Sequence, residues 1–336
     1  MLYVTTRSDR EHHSALRPLG YDRGPDGGMY VPFRLPKYDY AAVDALREKS
    51  FGDCVADVLN QLFTPVLTGS AVDFSIGRTP VKHTTMNHRI VVAECWHNPK
   101  WNFDWVVHNL TQQIRAESQR SEHVTEWARI AVRIAMLFGI FGELERTGAG
   151  DWAHPVDVAV DASDFTAPMA AWYAREMGLP IGVIICCTEN GASWDLIHRG
   201  ELRTADAREI QDGLERLIAA TLGAAEAKHF CEICSRSGSY IPKPEQLEQL
   251  RRGMYASVVS RRRMDRVMST VYRTNAYVLS PVAASIYAGL QDYRATAGEG
   301  RLALILAEQK PADWADAVAS ALGMTVDELR TRLDRN

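Results

Sequence analysis

The sequence predicts an α/β fold, a mostly parallel twisted sheet flanked by helices, and three observations carry that prediction. The first is the order strand, turn, helix, strand across residues 154–203, which is the pattern of a βαβ unit. The second is the character of its two strands. Residues 156–160 are rich in β-branched side chains and 181–187 are continuously apolar, as a parallel sheet covered on both faces requires. The third is the helix between them: Ala170, Ala171, Ala174 and Met177 keep one apolar stripe until Gly178, and Pro180 follows as a stop.

The turn that opens this helix, Asp161-Ala162-Ser163-Asp164, offers the hydroxyl and carboxylate groups that cap a helix starting near Phe165. In such sheets ligands sit at the carboxyl ends of the strands. Those ends are residues 161–166 and 188–192.

Length and composition bound the rest. The 336 residues, 46% of them hydrophobic, can bury a full core as one large or two modest domains. A net charge of −4 gives no electrostatic reason to expect nucleic acid or an anionic membrane as partner. The clusters Arg251-Arg252 and Arg261-Arg262-Arg263 share their region with Glu245, Glu248 and Asp265, the pattern of a solvated helix face. No apolar run reaches the length of a membrane span, since even 130–142 is interrupted by Arg133. Arg7, Asp9, Arg10 and Glu11 near the start do not suit a signal peptide, so a cytoplasmic location is expected. Six cysteines at irregular positions suit reduced thiols.

In chain order, 2–6 reads as a strand, 24–28 as a dense turn before the apolar 29–32, and 51–62 as a helix with Val55, Val58, Leu59 and Leu62 on one face. A strand at 90–95 enters a segment with Trp96, Trp101 and Trp105, then a polar helix at 106–119. The longest helix, 122–146, carries a wide apolar face from Val124 through Trp127, Ile134 and Phe141 to Leu144. Residues 205–227, 244–272 and 277–291 read as helical, 302–307 as a final strand, and 314–322 and 326–333 as closing helices, the second capped by Thr325.

Several collinear segments together resemble threonine synthase, a pyridoxal-phosphate enzyme of the tryptophan-synthase-β structural type. GPDGGMYVP (24–32) is similar to that family's PDGGLYVP, and GRTPV (77–81) stands where the family has a comparable entry segment. AECWHNPKWNFDW (93–105) resembles ELFHGPTLAFKDF, and EWARI (126–130) resembles NWARI. Residues 161–203 resemble PTGNFGN, AGYLAKKMGLPI and NENDVL in succession. LSPVAASIYAGL (279–290) is similar to DPHTAVAYAGL, and 304–323 to LSTAHPAKFPEAVEEALG. The resemblance implies the large domain of that fold, with 1–90 as an N-terminal part and 91–336 as the main α/β part of a single domain.

The departures imply lost cofactor chemistry. The family's Schiff-base lysine of FKD falls between Phe103 and Asp104, where no residue stands, and Lys100 precedes it by about a turn. The glycines of GNFGN, whose amides cradle the phosphate, are replaced by Ser163, Asp164, Phe165, Thr166 and Ala167. The residue facing the pyridine nitrogen aligns with Ala307 or Glu308. The glycine-rich TSGDTG segment and its small domain would have to fit between 106 and 122, which leaves too few residues. Pyridoxal phosphate is therefore not expected, although Lys100 keeps a residual pyridoxal lyase or synthase open.

What remains is a polar concentration at the carboxyl edge. His97, Asp104 and Asp164 are the candidate catalytic groups, with His97 as acid or base oriented by either carboxylate. Asn98, Lys100, Ser163, Thr166, Glu189 and Asn190 are the candidate binding groups for an amino-acid-like small molecule, in a cofactor-independent enzyme or binder of specialised biosynthesis. The alternative is that residues 161–164 merely cap a helix and His97 is a satisfied loop residue. His229, Cys231 and Cys234 contain a CxxC that suits zinc if a fourth ligand comes from elsewhere, or else ordinary thiols. The tryptophans suit an aromatic wall or core packing. Loss of a domain exposes apolar surface, so a homo-oligomer, or a heteromeric complex with an active partner, is expected over that face.

Overall fold

The computed structural model describes residues 1–64, 66–77, 81–86, 89–97, 102–115, 123–150, 154–189, 194–203, 212–298 and 300–334, without the side chains of His97 and Asp212. The chain opens with a three-stranded antiparallel sheet: β1 (Leu2–Thr5) lies between β2 (Ser8–Ser14) and β3 (Tyr30–Pro32). Helices α1 (Arg17–Gly20), α2 (Tyr40–Asp44), α3 (Phe51–Leu62) and α4 (Gly69–Ile76) lead on to β4 (Lys82–Met86) and β5 (Ile90–Glu94). Then come α5 (Phe103–Ile114), α6 (Glu126–Arg146), β6 (Val156–Asp161), α7 (Thr166–Met177), β7 (Ile181–Thr188) and α8 (Asp195–Arg199). The short strands β8 (Leu202–Arg203) and β9 (Ser239–Tyr240) pair around α9 (Asp212–Leu222) and α10 (Ala224–Ser237). Helix α11 (Pro244–Arg251), β10 (Met254–Val258), α12 (Arg261–Asn275), α13 (Pro281–Ala297), β11 (Ala303–Ala307), α14 (Ala315–Leu322) and α15 (Val326–Leu333) complete it.

The main sheet has six strands in the order β10-β7-β6-β11-β5-β4, parallel throughout except for β4. The last strand in sequence, β11, is thus inserted at the centre. Alternate residues feed two cores, as the period of two demands. Val158, Val160, Ile184, Leu304 and Leu306 face the side of α3, α6 and α7, whereas Ala159, Ile185, Ile305 and Cys187 face the side of α12 and α13. Five strands therefore end on one edge, at Glu94, Ala307, Asp161, Thr188 and Val258.

Helix α6 is the hub of the first core. Gly139 lies against the ring of Phe51 on α3 and Gly142 against the carbonyl of Leu46, approaches that leave no room for a Cβ. The Tyr3 hydroxyl donates to Leu62 O at 2.9 Å and accepts from Trp127 Nε1 at 3.1 Å, which ties β1 to α3 and α6.

Three helical expectations are corrected. Residues 244–272 are a helix, a strand and a helix, because Gly253 turns with φ of +68° and β10 then pairs with Ile184–Thr188. Gly223, φ +93°, divides α9 from α10, and 205–211 lie outside the described residues. Helix α5 starts at Phe103 rather than Val106, since the Asn102 side chain accepts from Trp105 N at 3.1 Å and caps it; residues 116–119 lie outside the described residues. No described helix is long and apolar enough to cross a membrane.

Filling the closest helix contact tests this packing. Gly139→Val should lower stability by about 1–3 kcal/mol through overpacking, seen as a lower midpoint in thermal denaturation; an unchanged midpoint would contradict the contact.

Candidate functional site

The site begins in the turn after β6. Asp161 accepts from the Ser163 amide at 3.1 Å and from its hydroxyl at 2.6 Å. Asp164 accepts from the Thr166 amide at 2.9 Å and from its hydroxyl at 2.6 Å. Two amides at the start of α7 are thus satisfied by the turn's own carboxylates. The turn is held from behind by Phe165 stacked on Trp194 at 4.1 Å and by Trp194 Nε1 donating to Ala162 O at 2.8 Å.

Next to this turn stands Arg133, the only charged residue buried in the body of α6. Its Nε and Nη2 donate to the two oxygens of Glu308 at 2.8 and 2.7 Å, the bidentate geometry that a planar guanidinium favours. Its Nη1 donates to Thr166 Oγ1 at 2.7 Å, and the guanidinium covers the Phe103 ring at 3.7 Å. Burial pulls this guanidinium's pKa down, and Glu308 more than offsets that. A chain of contacts thus runs from the end of β11 through α6 to the cap of α7.

On the other side of the turn a cleft of about 290 Å³ opens over the ends of β6 and β7. Asp161, Ser163, Thr188 and Glu189 form its strand wall, and Arg261, Pro281 and Ser285, from the starts of α12 and α13, face them. Gln309 and Trp314 close the rim. Burial raises the Asp161 carboxyl above the usual range, the Ser163 bonds oppose this, and Asp164 and Glu308 add to the rise.

This architecture has known counterparts. The threonine synthase of Brucella melitensis, solved with bound pyridoxal phosphate, superimposes with a TM-score of 0.81 at 18% identity, covering 96% of this chain and 92% of that one. Yeast threonine synthase gives 0.80 at 15% identity, with 96% and 90% covered. In sequence, threonine synthase-like 1 of Macaca fascicularis and of Homo sapiens is 25% identical over 179 residues, which is 49% of this chain and 24% of each relative. The fold is that of threonine synthase. The chain spans about a quarter of the length of the curated relatives it matches, and no profile of a known protein family matches it.

Within that threonine synthase fold, the expected residues are distributed as follows. Asp161, Ser163, Asp164, Thr166 and Glu189 come together at the carboxyl edge. Asp104, in the first turn of α5, forms an ion pair with Arg129 on α6. His97 ends the short turn Cys95–His97, with its side chain outside the described residues, as are Asn98, Lys100 and Asn190 altogether. Trp96 is half-buried between the two cores and Trp105 is exposed, so these two do not form one wall; Trp101 lies outside the described residues. Sequence reading missed Arg133 as a site residue, along with Arg261, Ser285 and Trp314. The available signal was Arg133 itself, a charge within an otherwise apolar helix face.

His229, Cys231 and Cys234 lie on α10, where His229 is exposed and Cys234 is buried in the core. Burial, with Glu215 nearby, pushes the Cys231 thiol up to about 12, and burial pushes that of Cys234 to about 11. Among the described residues no group of three or more His, Cys, Asp or Glu side chains is placed to hold a metal.

Two outcomes follow. Arg133→Met leaves Glu308 without its partner and should cost about 3–5 kcal/mol in urea denaturation, whereas Arg133→Met with Glu308→Leu should recover most of it; equal losses would place the pair outside the core. Because the folded-state pKa of Asp161 is raised, its stability contribution is full below the ordinary carboxylate range and lost as pH rises through the raised value. Asp161→Asn should therefore melt above the wild type at pH 7, with the difference vanishing at acid pH.

Proposed function

We propose that this threonine-synthase-like chain binds an amino-acid-like small molecule at the carboxyl edge of its sheet without pyridoxal phosphate, as a cofactor-independent enzyme or binder. The observation that carries the reading is the Arg133–Glu308 pair with its Thr166 and Phe103 contacts. Phe103 and Glu308 are positions at which the resemblance implies the Schiff-base lysine and the residue facing the pyridine nitrogen. The turn that would cradle a phosphate has given two of its amides to Asp161 and Asp164, and both carboxylates disfavour an anion there. No lysine stands at Phe103 or Asp104 to form the aldimine.

The polar groups of the edge, Asp161, Ser163, Glu189 and Ser285, suit hydrogen bonding to an amine or hydroxyl. His97 is the acid or base of this reading, and Asp164 orders the turn through Thr166.

A second reading is favoured by the Brucella melitensis structure, whose protein carries pyridoxal phosphate: residual pyridoxal chemistry through Lys100. One experiment separates them. Pyridoxal phosphate is added to the purified chain, the absorption spectrum is recorded, and the sample is reduced with borohydride for peptide mass spectrometry. The first reading expects no aldimine band and no reduced adduct, while an adduct on Lys100 would replace it with the second.

A further inference from the structure

The cleft beside the turn contains one feature that the fold does not explain. Ser285 lies within α13, only 4% exposed, and its hydroxyl has no hydrogen-bond partner. A serine inside a helix ordinarily donates to the carbonyl four residues back. Ser75, Ser235 and Ser237 do so here, at 2.9, 2.8 and 3.0 Å. Ser285 leaves that bond unmade and lines the cleft instead. A buried hydroxyl without a partner lowers stability, so the position is held at a cost to the fold.

The opposite wall is acidic. Asp161 ends β6 and Glu189 follows the end of the adjacent parallel strand β7. Each Asp161 oxygen has one bond from Ser163, and a carboxylate has lone pairs for further donors. The positive group of the cleft, Arg261, lies 3.6 Å from Asp265 on its own helix, which offsets its charge. The cleft therefore keeps a negative balance, and its partial burial strengthens the field on a bound cation. Gln309 accepts from the Trp314 indole at 2.9 Å and fixes an aromatic rim beside this wall.

Resting on the reading of the carboxyl edge as a small-molecule site, we infer that this cleft recognises a small amino alcohol. Its ammonium group is held by Asp161 and Glu189 and its hydroxyl by Ser285. A volume of about 290 Å³ suits a compact ligand of this kind. The orphaned hydroxyl gains a partner that can both donate to it and accept from it, and the carboxylates gain a counter-charge without displacing Ser163.

The test uses the full chain with 2-aminoethanol, ethylamine and ethylene glycol as probes, followed by calorimetry and saturation-transfer NMR. 2-Aminoethanol should bind, ethylamine should bind about tenfold more weakly for the lost hydrogen bond, and ethylene glycol should show no binding. Ser285→Ala should weaken 2-aminoethanol about tenfold and bring it level with ethylamine. The same variant should melt no lower than the wild type without ligand, since it removes an unsatisfied group; a lower midpoint would assign the hydroxyl a structural bond and overturn the inference. Asp161→Asn should abolish binding of both amines. Tighter binding of L-serine than of 2-aminoethanol would overturn the cationic class yet leave the small-molecule reading standing. Failure of every amine and amino acid to bind would overturn both.

Discussion

A single buried guanidinium organises the carboxyl edge. Arg133 lies on α6 among buried residues that are otherwise all uncharged, and taking its charge out of water is tolerable only with an anion and a full set of acceptors around it. Glu308 supplies the anion from the exit of β11, Thr166 the remaining acceptor from the start of α7, and Phe103 the covering ring from the start of α5. Three elements far apart in sequence are thereby fixed relative to α6. The turn after β6 inherits its position from this arrangement, because Thr166 is bonded at once to Arg133 and to Asp164.

The same interaction separates two environments that the sequence presents as one polar cluster. On the Arg133 side, each described polar group is committed to another: Asp104 to Arg129, Asp164 to Thr166, Glu308 to Arg133. On the α13 side the groups have capacity to spare, with each Asp161 oxygen holding a single bond from Ser163 and the Ser285 hydroxyl holding none. Committed groups build a scaffold, whereas uncommitted ones are the mark of a place shaped for something else.

Much of the scaffold is legible in the sequence and the site is legible only in part, for reasons found in particular residues. Residues 181–187 and 302–307 reveal themselves as strands because parallel strands buried on both faces are apolar nearly throughout, and 156–160 does so through its three valines. The turn after β6 is readable because a helix start needs acceptors, and Asp161 and Asp164 stand out there. Strand β10 is hidden, since Met254–Val258 is short and lies between two polar helices whose periodicity carries across it. Glu308 is noticeable only through the resemblance, and Ser285 is one serine in an alanine-rich helix. What makes each of them matter is a partner, or the lack of one, across more than a hundred residues of chain, and local pattern does not record that.

The border strand β4 has a consequence for how this protein meets others. It alone runs against the rest of the sheet, and its sequence, Lys-His-Thr-Thr-Met, is polar where the interior strands are aliphatic. An outermost strand offers unpaired amides and carbonyls to any extended peptide that arrives, and a lysine with two threonines makes that offer poor by keeping the border hydrated and twisted. The sheet is therefore guarded on this flank against growing by addition of further strands. On this flank, discrimination by side-chain shape would replace pairing by backbone, which accepts almost any chain.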